Sequence, residues 1–302
     1  MITGTFLDEI THDIPAQNWG AREWDQDFLN MKTVGIDTVI LIRAGYRNII
    51  TYDSKVLGKH LTSVIPSHID LIDLFLTLSE KHDMKFFFGT YDSGEHWQKG
   101  DYQKEVDLNR EITDEVFEKY GHRAAFKGWY ISHEINTFND GMMNVYEQLS
   151  SHLRSLKKVP ILMSPYIKGV KQFGNDAVSI ETHEKEWGKV FSSLKGLVDI
   201  VAFQDGQIDY KELSTYLKVN NDLAQKNGLT CWSNIESFDR DMPIKFPPID
   251  ITKLLYKMNR AKESGVDKMI TFEFSHFMSP QSIYPAAHHL YDRYREYFEN
   301  NL

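Results

Sequence analysis

The chain has 302 residues, 41% of them hydrophobic and 25% charged, as is usual for a globular protein that buries a large core. Its 34 Lys and Arg residues against 43 Asp and Glu give a formal net charge of −9, which argues against a nucleic-acid partner, since such proteins cluster positive charge. A single cysteine, Cys231, excludes an intrachain disulfide and a cysteine-based zinc site.

The first ten residues, MITGTFLDEI, have neither the basic nor the apolar segment of a signal peptide. No apolar run is long enough to cross a bilayer, so the sequence predicts no membrane insertion. Location stays open: periplasmic or secreted if a leader has been removed, cytoplasmic otherwise. The oligomeric state also stays open, because no helix carries an unambiguous exposed apolar stripe.

Eight short runs rich in β-branched and aromatic residues are typical of buried parallel strands. They are Thr3–Leu7, Thr38–Ile42, Lys85–Gly89, Gly128–Ile131, Pro160–Met163, Ile200–Phe203, Thr230–Ser233 and Met269–Phe272. Helical patterns separate them; in the first, Trp24, Phe28 and Met31 share a face and Gly35 follows as a stop. Four later glycines, Gly121, Gly196, Gly228 and Gly265, are predicted to end helices in the left-handed conformation.

The strict alternation of strands and helices requires a parallel sheet, and eight similar units predict a single (β/α)8 barrel over residues 1–302. A doubly wound open sheet is the alternative, but it usually has a glycine-rich turn after its first strand. Here the first strand leads into an acidic segment that begins with Asp8 and Glu9. The long loops 44–66, 90–103, 165–180 and 234–249 follow strands, so the functional site is predicted at the strands' C-terminal ends.

Polar side chains at nearly every strand end support this placement, because buried polar groups are costly unless they are paired or used. In chain order they are Asp8 and Glu9, Arg43, Tyr91 and Asp92, Ser132 to Glu134, Ser164 to Tyr166, Gln204 and Asp205, Asn234 to Glu236, and Glu273 with His276.

Strand alternation predicts which of these side chains point into the barrel. Tyr130, Ser132 and Glu134 share one face of the fourth strand, and Trp232, Asn234 and Glu236 share one face of the seventh. Both glutamates are therefore expected to enter one cavity. Two facing carboxyl groups can hydrolyse an acetal when one remains protonated and the other charged. Arg43 is a cation suited to keep one of them ionised.

Two segments carry a resemblance. The run Gly128–Glu134 resembles the strand-four acid/base motif of clan A glycoside hydrolases, and the run Trp232–Phe238 resembles their strand-seven nucleophile motif. The whole chain is similar to a poorly characterised family of barrels, related to that clan and common in gut Bacteroidetes, in which the opening Gly4–Glu9 and Arg43 are also characteristic. The resemblance implies a retaining glycosidase with Glu134 as acid/base and Glu236 as nucleophile. The clan usually has Asn where this chain has His133.

Further residues are expected to bind a carbohydrate substrate. They are Arg43, Tyr46, Tyr91, His133, Tyr166, Gln204, Asp205, Trp232, Asn234 and Glu273. Asp8, Glu9 and His276 are predicted to support these residues rather than to touch the sugar. Aromatic side chains in the loops, such as Trp19, Trp97 and Phe238, are suited to stacking on a sugar face or to packing the loops.

Other chemistries match the sequence less well. His133 and Glu134 do not begin a zincin helix, because residue 137 is Thr. No lysine lies at the ends of strands four to eight in a position to form a Schiff base with a substrate. We therefore predict neither a metal nor a cofactor. Two alternatives stay open: a carbohydrate-binding barrel without turnover, and a metal-dependent isomerase or lyase whose ligands come from distant strands.

Overall fold

In the computed structural model, which describes residues 1–240 and 245–299, eight parallel strands close into a barrel. We number them in chain order: β1 (Gly4–Leu7), β2 (Thr38–Leu41), β3 (Lys85–Gly89), β4 (Phe126–Ile131), β5 (Ile161–Met163), β6 (Ile200–Gln204), β7 (Thr230–Glu236) and β8 (Lys268–Phe272). Each strand pairs with its chain neighbours, and β1 pairs with β8 to close the barrel. The predicted barrel is confirmed. Part of the predicted loop 234–249 and the last three residues of the predicted domain lie outside the described residues.

One long helix follows each strand. The eight are α1 (Ala21–Thr33), α2 (Leu71–Lys81), α3 (Tyr102–Tyr120), α4 (Asp140–Leu156), α5 (Ile180–Leu194), α6 (Leu213–Lys226), α7 (Ile251–Glu263) and α8 (Pro285–Glu299). Short α-helices lie at Lys55–His60, Val170–Phe173 and Phe274–Phe277, and 3-10 turns lie at Trp97–Lys99 and Gly174–Asp176. Among the described helices, none has the length and apolar character needed to cross a bilayer.

Local sequence explains where several helices begin and end. At the N-termini of four of the long helices a side chain accepts a hydrogen bond from the first turn: Asp70, Asn139, Ser179 and Asp250. Three of the predicted C-terminal glycines, Gly196, Gly228 and Gly265, are left-handed, with φ near 80°. The prediction for Gly121 is wrong, because its φ is −59° and it continues the right-handed turn of α3.

Two hydrophobic layers meet at the barrel wall. The inner layer fills the barrel and contains Tyr130 and Trp232, as strand alternation predicts. The outer layer packs the strands against the helices and contains their neighbours Trp129 and Cys231. Strand β7 is longer than predicted and extends to Glu236, so that this carboxyl is held on regular backbone rather than on a loop.

The long loop after β2 folds into a small three-stranded sheet on the C-terminal side of the barrel. Gly45–Tyr46 and Ile49–Ile50 form a hairpin, and Ile65–Pro66 pairs with its second strand. Arg47 lies at the tip of the hairpin with a positive φ of 55°. Tyr46 also forms a bridge to Asp92, which joins this sheet to the loop after β3.

Asp27 on α1 is a buried carboxyl group whose titration predicts pH-dependent stability. Its oxygens accept hydrogen bonds from the Ser275 and Ser279 hydroxyls. Burial raises the pKa of Asp27 to about 7. An unfolded Asp titrates near pH ~4, so the folded state keeps a proton that the unfolded chain loses. The free energy of unfolding therefore falls as pH rises through this window.

Asp27→Asn is expected to raise the melting temperature by a few degrees at about pH 8 and to leave it nearly unchanged at about pH 4. The amide can bond both serines and carries no charge to bury. Asp222→Asn on α6 is the control, because Asp222 is exposed. Thermal denaturation between these pH values checks the prediction; an equal gain at every pH would contradict it.

Candidate active site

A cavity of about 220 Å³ opens at the C-terminal ends of the strands. Its polar lining consists of Asp8, Thr11, His12, Asp13, Arg43, Glu134, Gln204, Asn234, Glu236 and Arg240. Its apolar lining consists of Phe6, Ile14, Ile42, Phe238, Phe246 and Phe272. The volume lies below the roughly 300–1,000 Å³ of pockets that enclose drug-sized ligands. A small ring with several polar groups matches this combination of size and lining.

Glu236 is the most tightly held carboxyl group of the cavity, with 2% of its side chain exposed. Arg240 donates to both of its oxygens, from Nε to Oε2 at 2.7 Å and from Nη2 to Oε1 at 2.8 Å. Gln207 Nε2 lies 3.4 Å from Oε1. A bidentate guanidinium pair fixes both position and orientation. Glu236 therefore enters the cavity as an ordered, ion-paired group.

The backbone of Glu236 is fixed by a buried ion pair beneath it. Asp205 Oδ1 accepts from Glu236 N at 3.0 Å and lies 2.6 Å from Lys257 Nζ. Lys257 also donates to the Glu236 carbonyl oxygen at 2.8 Å. Burial raises the pKa of Asp205, while the Lys257 charge acts against this. Asp205 thus positions Glu236 and does not line the cavity.

Glu134 follows β4 and has a different environment. Its side chain is 31% exposed, and its nearest cation is Arg43, whose Nη2 lies 3.9 Å from Oε1. Burial raises the pKa of Glu134 above its usual range, although the Arg43 charge and a hydrogen bond with Gln204 lower it. A carboxyl group that keeps its proton to higher pH is suited to act as a general acid.

Each of the two glutamates has its own arginine partner, Arg43 for Glu134 and Arg240 for Glu236. The sequence predicts that Arg43 keeps one of the two glutamates ionised and binds substrate; the structure places it beside Glu134. Arg240, which the sequence reasoning missed, pairs with Glu236 and lies over the Phe238 and Phe246 rings. Its sequence signal is weak: it is a basic residue four positions after Glu236, in a loop whose path the sequence does not define.

Several buried polar atoms around the cavity have no hydrogen-bond partner among the described residues. They include Asp8 Oδ2, Arg43 Nε, Tyr130 Oη and Asn234 Oδ1. Asn234 Nδ2, by contrast, donates to Ser164 Oγ at 3.2 Å, which orients the amide. Unpaired polar groups are costly inside a protein. Three of these residues, Asp8, Arg43 and Asn234, line the cavity, so its wall keeps unused hydrogen-bonding capacity.

Of the predicted site residues, the structure brings Asp8, Arg43, Glu134, Gln204, Asn234 and Glu236 to the cavity. Tyr46 and Tyr91 are buried in the neighbouring loops, where Tyr46 stacks on His12 and Tyr91 donates to the Arg47 carbonyl oxygen. Trp232 belongs to the inner barrel layer, and Tyr166 accepts from Asn136 Nδ2 at 2.7 Å beside Phe173.

His133 points away from the cavity, towards α3. Its Nε2 lies 2.8 Å from Glu105 Oε1, and both side chains are fully buried. Although burial lowers the pKa of His133, hydrogen bonding to Glu105 raises it overall. With Asp92, these two residues bring three possible metal-ligand atoms within 4.8 Å of one another. Asp92 accepts from Gly94 N and Trp97 Nε1, however, and Glu105 from Ser93, so we interpret the group as a structural hydrogen-bond network.

The residues after β8 support the loop after β1. Glu273 caps the helix Phe274–Phe277 and contacts His276 Nδ1, and His276 Nε2 lies 2.7 Å from the Pro15 carbonyl oxygen. Glu9 accepts from Gln17 N, and burial raises the pKa of Glu9 to about 7. Asp8 accepts from the backbone of Ile10 and Thr11. Glu9, Glu273 and His276 therefore lie behind the cavity wall.

Gly206 allows the Glu236 carboxylate to rest directly against the loop after β6. A Cβ at this position would overlap Glu236 Oε2 and meet Arg240 Nε. Gly206→Ala is therefore expected to displace the carboxylate and to lower the free energy of unfolding by roughly 1–3 kcal/mol. Gly188→Ala, in α5 with ordinary contacts, is the matched control and should gain stability. Urea denaturation measures both; equal behaviour would contradict the packing argument.

Fold and cavity together define a class, the (β/α)8 barrels with two carboxyl groups at the ends of β4 and β7. The chain belongs to the family described as Domain of unknown function (DUF4434), whose sequence profile matches residues 2–284. This confirms the predicted family relationship. No curated protein sequence matches the chain.

Among solved structures, one from Bacteroides thetaiotaomicron VPI-5482, named as a proposed alpha-L-fucosidase, is 53% identical over 99% of this chain and 93% of that chain, with a TM-score of 0.95. An endo-1,4-beta-D-mannanase from Thermotoga petrophila RKU-1 is 10% identical over 98% of each chain, with a TM-score of 0.62. A glycoside hydrolase family 5 protein from Bacteroides vulgatus ATCC 8482 is 12% identical over 91% of this chain and 58% of that chain, with a TM-score of 0.59. The last two share the barrel fold.

Proposed function

We propose that this protein is a retaining glycoside hydrolase acting on an oligo- or polysaccharide, with Glu134 as acid/base and Glu236 as nucleophile. The observation that carries the proposal is that both carboxyl groups line one cavity in contrasting environments. Glu134 is partly exposed with a raised pKa, whereas Glu236 is buried in a guanidinium pair. Such a contrast is what acid and nucleophile roles require.

The chemistry proceeds in two balanced steps. The Glu134 carboxylic acid gives its proton to the glycosidic oxygen while a Glu236 oxygen attacks the anomeric carbon. The carbon–oxygen bond to the leaving sugar breaks, and a glycosyl ester forms on Glu236. The Glu134 carboxylate then takes a proton from water, whose oxygen attacks the same carbon and releases the sugar and the Glu236 carboxylate. No metal or cofactor is required.

The test is a screen of aryl glycosides and gut polysaccharides with the native chain, Glu134→Gln and Glu236→Gln. Turnover by the native chain that falls strongly in both variants is the expected result. Proton NMR of the first-formed sugar then gives the stereochemistry, which is retained in a two-step mechanism and inverted in a one-step mechanism. Unchanged turnover in both variants would refute the assignment.

Arg43 is expected to control the pKa of Glu134. Its cation lowers the pKa of Glu134, so Arg43→Met is expected to shift the alkaline limb of kcat against pH to higher pH, because Glu134 then keeps its proton longer. Arg43→Lys retains the charge and should shift the limb less. An alkaline limb that moves to lower pH in Arg43→Met would contradict this role.

A carbohydrate-binding barrel without turnover is a second candidate, and the Arg240 pair favours it. Both Glu236 oxygens accept from Arg240, so the carboxylate must reorganise before it can attack. In that case glycan affinity would survive in Glu236→Gln and no aryl glycoside would be cleaved by the native chain. Calorimetry on the glycans retained by the protein separates the two candidates.

A further inference from the structure

A groove beside the cavity has the opposite charge balance. It measures about 610 Å³ against about 220 Å³ for the cavity. Its charged lining is Arg47, Lys99 and Lys104 against Glu95, and His60 and His96 also face it. The cavity instead has four carboxyl groups, Asp8, Asp13, Glu134 and Glu236, against two guanidiniums. A basic groove in a chain of net charge −9 is a local concentration of positive charge.

The groove and the cavity share one wall. The Tyr46 ring stacks on His12 of the cavity with centroids 5.4 Å apart. Arg43 of the cavity and Arg47 of the groove lie over the same ring, at 5.1 and 5.0 Å. A chain of sugars that leaves the cavity across this wall therefore enters the groove without leaving the C-terminal side of the barrel.

Two cations of the groove, Arg47 and Lys104, are available to a ligand. Two other basic side chains of the groove are already paired, Lys99 with Glu95 and His60 with Glu111. Within the described ranges, Arg47 and Lys104 form no ion pair with a carboxylate, and both are exposed. The Arg47 backbone is held by Asp92 and by the Tyr91 hydroxyl, with a positive φ. These contacts fix the base of an exposed guanidinium at the wall of the groove.

We infer that the groove binds an acidic sugar of the substrate, through its carboxylate or sulfate, while a neutral sugar occupies the cavity. With Glu134 protonated, three carboxyl groups of the cavity still face its two guanidiniums and disfavour an anionic sugar there, whereas Arg47 with Lys104 attracts one in the groove. This inference rests on the proposed function. It identifies the substrate class as an anionic oligosaccharide longer than one sugar.

Binding is measured by calorimetry in a Glu134→Gln background, so that turnover does not interfere. The carboxylate arm compares a rhamnogalacturonan tetrasaccharide, in which galacturonic acid alternates with neutral rhamnose, with its carboxyl-reduced form. The sulfate arm compares a kappa-carrageenan tetrasaccharide, in which sulfated and neutral sugars alternate, with its desulfated form. One charged probe at least should bind more tightly than its neutral partner, and the arm that responds identifies the anion. Introducing Arg47→Ala and Lys104→Ala together into the Glu134→Gln protein should lower its affinity for that probe roughly tenfold, as expected for the loss of two exposed charge pairs.

The control is Lys59→Ala, which removes one exposed charge outside the groove and should leave the affinity as in the parent. Equal affinity for charged and neutral probes, binding of no probe, or unchanged affinity in the double variant would each overturn the inference. If the charged probe binds through Arg47 and Lys104 while the native chain hydrolyses no glycoside, the groove assignment stands and the proposed hydrolase activity fails.

Discussion

Glu236→Gln is expected to lower kcat by roughly 10⁴–10⁶-fold, the loss seen when a hydrolase loses its nucleophile or its charged partner. The amide cannot form the glycosyl ester, and its NH2 group faces the Arg240 guanidinium, which donates to both oxygens of the native carboxylate. Steady-state kinetics on a substrate from the screen measures the loss.

Stability must be measured beside activity, because the substitution leaves a mostly buried cation without its charged partner. Thermal denaturation of Glu236→Gln shows whether the chain still folds. A folded variant that accumulates no glycosyl ester with a 2-fluoro sugar, where the native chain does so by mass spectrometry, assigns the nucleophile directly. Glu118→Gln is the matched control, since Glu118 is exposed on α3. A kcat within tenfold of native in Glu236→Gln would remove Glu236 from the mechanism.

The barrel and the direction of the two glutamates are predictable because both depend on short repeating patterns. Alternation along β4 and β7 places Tyr130 and Trp232 inside, and the structure confirms both. The same alternation directs His133 outward to Glu105. The family motif predicts that His133 binds the sugar, whereas strand alternation predicts that its side chain points outward. The structure follows the alternation and places the side chain away from the cavity.

Loop-borne contacts are not predictable in this way. Arg240 reaches Glu236 because of the path of the chain after β7, and no periodicity describes that path. Tyr91 and Glu273 follow strands as expected, yet the loops fold over them and bury both. A polar side chain at a strand end either pairs with a neighbouring group or faces the cavity. Loop packing decides which of these happens, and the strand pattern does not predict it.

Glu134→Gln should lower kcat by roughly 10²–10⁴-fold on sugars with poor leaving groups, the usual contribution of a general acid. A dinitrophenyl glycoside needs little protonation to leave, so its first step should proceed nearly as in the native chain. Its second step slows, because no base activates water, and a small anion such as azide should restore the rate by attacking the ester itself. Glu184→Gln, another exposed glutamate, is the control.

The pH dependence separates an acid from a residue that only shapes the cavity. Burial raises the pKa of Glu134, so native kcat on a poor leaving group should fall as pH rises through that raised value and the proton is lost. Glu134→Gln has no such proton, and its alkaline limb should disappear while a low rate remains. If the variant keeps the native alkaline limb, another group titrates there and Glu134 is not the acid. If azide gives no rescue on the dinitrophenyl substrate, the base role in the second step fails.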